Sequence, residues 1–161
     1  MPGVNFFRAG TLLIPSGPPA DPDRMHLHVI CTNPDAAMQQ IVVSISTYEP
    51  GDDPTCILLR GCHKSLTKPQ SFVVYQYTRI RLHEQLLEGV RKAMFVPKLD
   101  MNGQDFLRIC RGIEKSPRTP QTMKNAYRRM AAAENQARVE ARSRDASKDR
   151  PDPTEEFLAT E

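Results

Sequence analysis

Between Thr11 and Ile80 the chain alternates short β-branched runs with turns built from proline, glycine, asparagine and aspartate, a pattern that antiparallel strands satisfy and long helices do not. Residues 11–23, TLLIPSGPPADPD, set a brief apolar run before four prolines and a glycine. A strand followed by a long irregular loop is expected there. Met25 to Cys31 alternates in polarity, placing Leu27, Val29 and Cys31 on one face of a strand and His26 and His28 on the other. After the turn residues Thr32-Asn33-Pro34-Asp35, Gln40 to Tyr48 reads as a further strand, closed by the turn from Glu49 to Pro54. Cys56–Leu59 and Ser71–Ile80 complete the series, the latter (SFVVYQYTRI) long enough to bend around a small barrel.

Helical periodicity arrives only later. Phe106, Ile109, Cys110 and Ile113 recur at helical spacing and predict an amphipathic helix packed on the sheet. Leu82 to Leu87 is compatible with a short helix or with continued strand. Thr119-Pro120 has the form of an N-cap hydroxyl with proline at the first helical position, opening a helix in which Met123, Tyr127 and Met130 dock the first turns. Beyond Ala133 its apolar stripe thins, so that half is expected to face solvent or a partner. The resulting fold class is mainly β with C-terminal helices (α+β): a small antiparallel barrel, one packed helix and a long C-terminal helix. Residues 1–118 form the barrel domain, 119–146 the helical extension, and 147–161 a tail expected to be disordered.

Length and charge narrow the function. The 161 residues suit a single core, and no run approaches the roughly 18 apolar residues of a membrane span. No secretory signal is evident, so a cytoplasmic location is expected. The cysteines, Cys31, Cys56, Cys62 and Cys110, match no metal spacing and read as buried thiols. A zinc site from Cys56, Cys62 and His63 lacks a fourth ligand. Net charge is +3, and residues 1–119 hold 14 basic and 11 acidic residues against 8 of each in 120–161. Arg60, Lys64, Lys68, Arg79 and Arg81 share one window free of acidic residues, which suits either a phosphate-binding surface or a solvated strand face.

Standard catalytic signatures, among them glycine-rich phosphate loops, HExxH and GxSxG, do not occur. What remains is polar chemistry at strand ends. His26 and His28 emerge on one strand face and can act together on a phosphodiester, or simply decorate a polar face. Ser46 and Thr47 close a strand where a hydroxyl can donate to a phosphate oxygen. Tyr75, Tyr77 and Arg79 share a face of the expected 71–80 strand, a cation beside aromatic surfaces that can hold a splayed base and its phosphate. Ser71 opens that strand.

Over roughly residues 9–115 the order of elements resembles the PemK/Kid/MazF group of bacterial toxins. The likeness rests on AGTLLIP, MHLHVICTNP, IVVSISTYEPG and SFVVYQYTRI taken in that order. It implies an SH3-like barrel, a homodimer, cleavage of single-stranded RNA without metal or other cofactor, and restraint by an antitoxin. Carried onto this sequence, the family's strand-end threonine falls at Thr47, or Ser46 with a one-residue slip, and its later serine at Ser71. Its second-strand arginine is replaced by Met25-His26, with Arg24 just before, and its Asp-Gln by Tyr75-Gln76. The expected catalytic set is therefore His26, His28, Thr47 and Arg79. The expected RNA-binding set is Arg24, Ser46, Arg60, Lys64, Lys68, Ser71, Tyr75 and Tyr77. Two alternatives remain: a non-catalytic module binding nucleic acid or protein, and a structural or phage-type accessory protein displaying its C-terminal helix.

Overall fold

The computed structural model describes residues 3–148. Seven antiparallel strands form one sheet: β1 (Thr11–Pro15), β2 (Met25–Ile30), β3 (Gln39–Thr47), β4 (Ile57–Leu59), β5 (Gln70–Val73), β6 (Arg79–Leu82) and β7 (Val96–Lys98). Three helices accompany them, α1 (His83–Arg91), α2 (Gly103–Lys115) and α3 (Gln121–Lys148), giving the expected α+β class. The strands run in the order β4-β5-β3-β2-β1-β7, with β6 also on β3. Among the described residues no helix is long and apolar enough to cross a membrane.

Strand β3 organises the sheet because one of its edges serves two partners. Its first half pairs with β6 (Val42 opposite Arg79), and its second half pairs with β5 (Ile45 opposite Val73). Residues 71–80 are therefore not the single strand that their composition predicts. They break at a 3-10 turn, Tyr75–Tyr77, held by hydrogen bonds from Tyr77 N to Val74 O (3.0 Å) and Thr78 Oγ1 to Tyr75 O (2.7 Å). The cause of the break is tertiary. Tyr75 is fully buried and its hydroxyl donates to Ile109 O of α2 at 2.7 Å, over Gly112, where an added Cβ would lie 1.8 Å from that hydroxyl.

The turn inverts side-chain parity. Before it, odd-numbered Val73 faces the core shared with α2; after it, even-numbered Ile80 does, and odd-numbered Arg79 and Arg81 face the other way. Tyr75, Tyr77 and Arg79 thus do not share a face: Tyr75 is core, Tyr77 is 58% exposed, and Arg79 is on the opposite side.

Both faces of the sheet carry apolar cores. Leu27, Val29, Ile41, Val43 and Ile45 pack with Phe106, Ile109, Cys110 and Ile113 of α2, as their spacing predicts, and with Ala126 and Met130 of α3. The other face buries Leu12, Ile14, Ile30 and Val42 under Leu86 and Val90 of α1, which settles 83–91 as helix. Cys31, Cys56 and Cys110 are buried free thiols and Cys62 is half-buried. Strands β4 and β7 are not paired, but the loop after β4 ties them. The His63 ring, Nε2–H donating to Leu99 O at 2.6 Å and Nδ1 accepting from Ser65 N at 3.0 Å, sits beside Thr11, whose hydroxyl also donates to Leu99 O.

Helix α3 starts one residue later than expected, at Gln121, with Pro120 flanking it rather than opening it and without the expected cap. The Pro120 carbonyl accepts from Met123 and Lys124, while the buried Thr119 hydroxyl has no partner among the described residues. The helix continues to Lys148, so Ser147 and Lys148 are helical rather than disordered. The rest of the expected tail, 149–161, lies outside the described residues.

Candidate functional site

Where α1 ends its cover, the same sheet face opens into a cleft of about 700 Å³. Strand alternation determines its floor. Residues pointing to this face are Ile14 and Ser16 along β1, His26, His28 and Ile30 on β2, Val42, Ser44 and Ser46 on β3, and Phe72 on β5. Ile14, Ile30 and Val42 at one end are roofed by α1; Ser16, His26, His28, Ser44, Ser46 and Phe72 at the other are not and line the cleft. Walls rise from the β1–β2 loop, Pro15 to Pro19, and from Gln76 and Tyr77 of the 3-10 turn. The loop can return so tightly only because Gly17 lacks a side chain, since a Cβ there would lie 1.8 Å from Asp21 O.

His26, His28, Thr47 and Arg79 all line this cleft, together with Arg24, Ser46 and Tyr77 of the expected RNA-binding set. Other members lie elsewhere. Tyr75 is core, Ser71 is buried on β5 opposite Thr47, Arg60 donates to Thr67 O in the turn after β4, Lys64 borders a separate hollow with Leu13 and Lys98, and Lys68 is exposed ahead of β5. The basic window is thus divided by the fold: its first three cations go to the β4–β5 connection and only Arg79 and Arg81 reach the cleft.

The two imidazoles differ in setting. His28 is only 5% exposed, and its Nδ1 lies 2.9 Å from the His26 carbonyl. A carbonyl can only accept, so Nδ1 carries the proton and Nε2 is left with a lone pair. Burial first, with the nearby charges of Arg81, His26 and Arg79, pushes the His28 pKa down to about 4 against the raising effect of that hydrogen bond, so the ring is neutral at pH 7. His26 is more open. Its Nδ1 lies 2.8 Å from Ser16 Oγ, which lies 3.2 Å from Ile14 O. With the Ser16 hydroxyl donating to that carbonyl, His26 Nδ1–H donates to Ser16 and Nε2 again holds a lone pair. Partial burial and the Arg24 charge lower its pKa as well.

Charge in the cleft is predominantly positive. Among the described residues Arg79 and Arg81 join no ion pair, and the Nε of Arg81 is buried without a hydrogen-bond partner. Burial, then repulsion from Arg79, lowers the Arg81 pKa. Arg24 is paired with Asp21 at 3.2 Å, and Asp52 at the rim accepts from Glu49 N. A pair of guanidiniums without an ion-pair partner, in one cleft with two imidazoles of lowered pKa and the serine hydroxyls of β3, suits a phosphate-bearing ligand.

Three contributors fall outside the expected set: Ser16, Ser44 and Arg81. Ser16 lies two residues beyond Ile14 and Arg81 two beyond Arg79, so period-2 alternation carried past the strand ends points to both. Ser44 lies opposite His28 across β2 and β3. No family model, curated protein or solved structure matches the chain.

Proposed function

We propose that the cleft binds single-stranded RNA and cleaves it without a metal, the substrate 2′-hydroxyl attacking its own phosphate to leave a 2′,3′-cyclic phosphate and a 5′-hydroxyl. The observation that carries this is the meeting of His26, His28, Arg79 and Thr47 in one cationic cleft, although they come from three different strands. His26, its ring oriented by Ser16, takes the 2′-hydroxyl proton on Nε2. Arg79 and Arg81 stabilise the charge that builds on the phosphate oxygens and Ser46 positions them, while Thr47, next along β3 and so on the opposite row, borders the cleft at the strand end. His28, neutral in the free cleft, takes a proton from solvent on Nε2 once phosphate charge offsets the two arginines, and donates it to the leaving 5′ oxygen, while His26 later releases the 2′-hydroxyl proton to solvent.

On this reading the protein is a PemK/MazF-like toxin working as a homodimer in the cytoplasm under the restraint of an antitoxin. The sharing of one edge of β3 by β5 and β6, on either side of a 3-10 turn, supports the SH3-like part of the resemblance. The test is incubation of purified protein with single-stranded RNA in EDTA, with detection of cyclic-phosphate ends. Cleavage that disappears in His26→Ala and Arg79→Ala, both still folded, is the expected result. Intact RNA that is nonetheless bound turns the reading to a binding module. One observation favours that second reading: both imidazoles have lowered pKa values, so neither is a ready acid in the free cleft.

A further inference from the structure

Arg81 borders two recesses. One side of it lines the cleft; the other lines an open recess of about 410 Å³ between α1 and the start of β7, whose floor is the Phe95 ring and whose outer lip is Met94, 56% exposed. The Arg81 guanidinium lies 5.6 Å from the centroid of the Phe95 ring. That ring rests directly on the helix backbone at Gly89, where a Cβ would come within 2.1 Å of it, so the floor is rigid. Glu84 and Glu88 stand at the rim, but both lie within ion-pair distance of Arg91, and Glu88 also of Lys92. Their charge is largely offset. The recess is therefore apolar at its floor and near-neutral at its rim, and among the described residues it shares with the cationic cleft one side chain, Arg81, whose Nε has no hydrogen-bond partner there.

We propose that this recess is a second nucleotide subsite, in which Arg81 holds the phosphate joining two nucleotides and the neighbouring base lies against Phe95 and Met94. The inference rests on the reading of the cleft as an RNA site. Continuity through Arg81 is what selects a nucleotide as occupant. A phosphate held by Arg81 leaves one neighbouring nucleotide over the cleft and the other over the recess, where the base meets Met94 and the part of the Phe95 ring left open beside the guanidinium that lies over it. An apolar peptide side chain would use the floor but leave the guanidinium unanswered.

The experiment measures binding of uncleavable 2′-deoxy-substituted oligonucleotides of increasing length to wild type, Met94→Ala and Arg81→Lys, by fluorescence anisotropy. Wild type is expected to gain roughly tenfold in affinity at the length where one further nucleotide reaches the recess, in line with the stacking energy of one base. The gain should vanish when that nucleotide is abasic, and the ratio of long to short affinities should be several-fold smaller in Met94→Ala than in wild type, since the lip is lost while Phe95 remains. Since Met94 is largely exposed, the variant keeps the fold. A length step equally large in Met94→Ala, or one that survives an abasic nucleotide, overturns the subsite while leaving the cleft reading intact. Failure of every oligonucleotide to bind overturns both.

Discussion

The two faces of β3 carry different assignments within the same nine residues. Ile41, Val43 and Ile45 point to α2 and α3 and are sealed; Val42 lies under α1, but Ser44 and Ser46, next along the same row, border the cleft. Between Gln39 and Thr47 at its two ends, the sealed row of this strand, Ile41, Val43 and Ile45, has no polar side chain to satisfy and stabilises by burial. On the open face two arginines and two histidines stand together without a matching carboxylate, an arrangement that costs stability and makes sense for a ligand site. Stability and binding are thus separated across the thickness of one sheet.

Substitutions on the two faces should separate accordingly. The largest effect expected is on the open face: on the proposed RNA-cleaving function, His26→Ala should lower cleavage by about 10²- to 10⁴-fold, the usual loss on removing a general base, while the melting temperature stays close to that of wild type. A parallel fall in melting temperature would mean that the two faces are not independent. On the sealed face Ile109→Ala, fully buried on α2, should destabilise by about 2–5 kcal/mol in urea titration, and specific activity per folded molecule should be retained.

His28 sharpens the contrast through pH. Its folded-state pKa of about 4 lies below the ordinary value of 6.5, so above pH 6.5 both folded and unfolded chains hold it neutral and its contribution to stability is fully present. As pH falls from 6.5 towards 4 the unfolded chain takes up a proton that the native cleft refuses. Stability should therefore drop through that window, by at most about 3 kcal/mol from this group. Denaturation of wild type and His28→Asn at matched pH values reads the effect as the difference between two slopes, and equal slopes would remove His28 from the account. The smallest effect belongs to α3. From Asn135 onward its side chains are exposed, so ending the chain after Arg138 should change folding stability by under about 0.5 kcal/mol, whereas Met130→Ala, in the core, should cost about 2 kcal/mol or more.

The strands β1 to β4, the inward row of α2 and the start of α3 were legible because each depends on local information: alternation, helical spacing, and proline and glycine at turns. His26 and His28 were legible on one face for the same reason. The mixed outcome for the basic window has a different origin. Arg60, Lys64 and Lys68 are near Arg79 in sequence, but a turn separates β4 from β5 and a second turn reverses parity before β6, so sequence proximity did not become proximity in space. The local pattern of SFVVYQYTRI contains no sign of that second turn, because it is imposed by Tyr75 reaching Ile109 across Gly112, a contact 34 residues away in sequence. The missing cap at Thr119 is similar: its hydroxyl is buried by the surrounding structure and makes no bond to the helix it precedes.

The sequence by itself determined strands β1 to β4, helix α2, the first turns of α3 and which side of β2 is polar, since hydrophobic periodicity and turn chemistry act over a few residues, whereas β7, the helical state of 83–91 and the break within 71–80 were not legible in it. Only the tertiary structure decided that α1 roofs half of one sheet face and leaves the other half open, that Arg79 and Arg81 turn into that opening while Tyr75 turns away, and that Ser16 orients His26. Those outcomes depend on which distant surfaces must be buried together, and burial is a property of the assembled chain rather than of any segment within it.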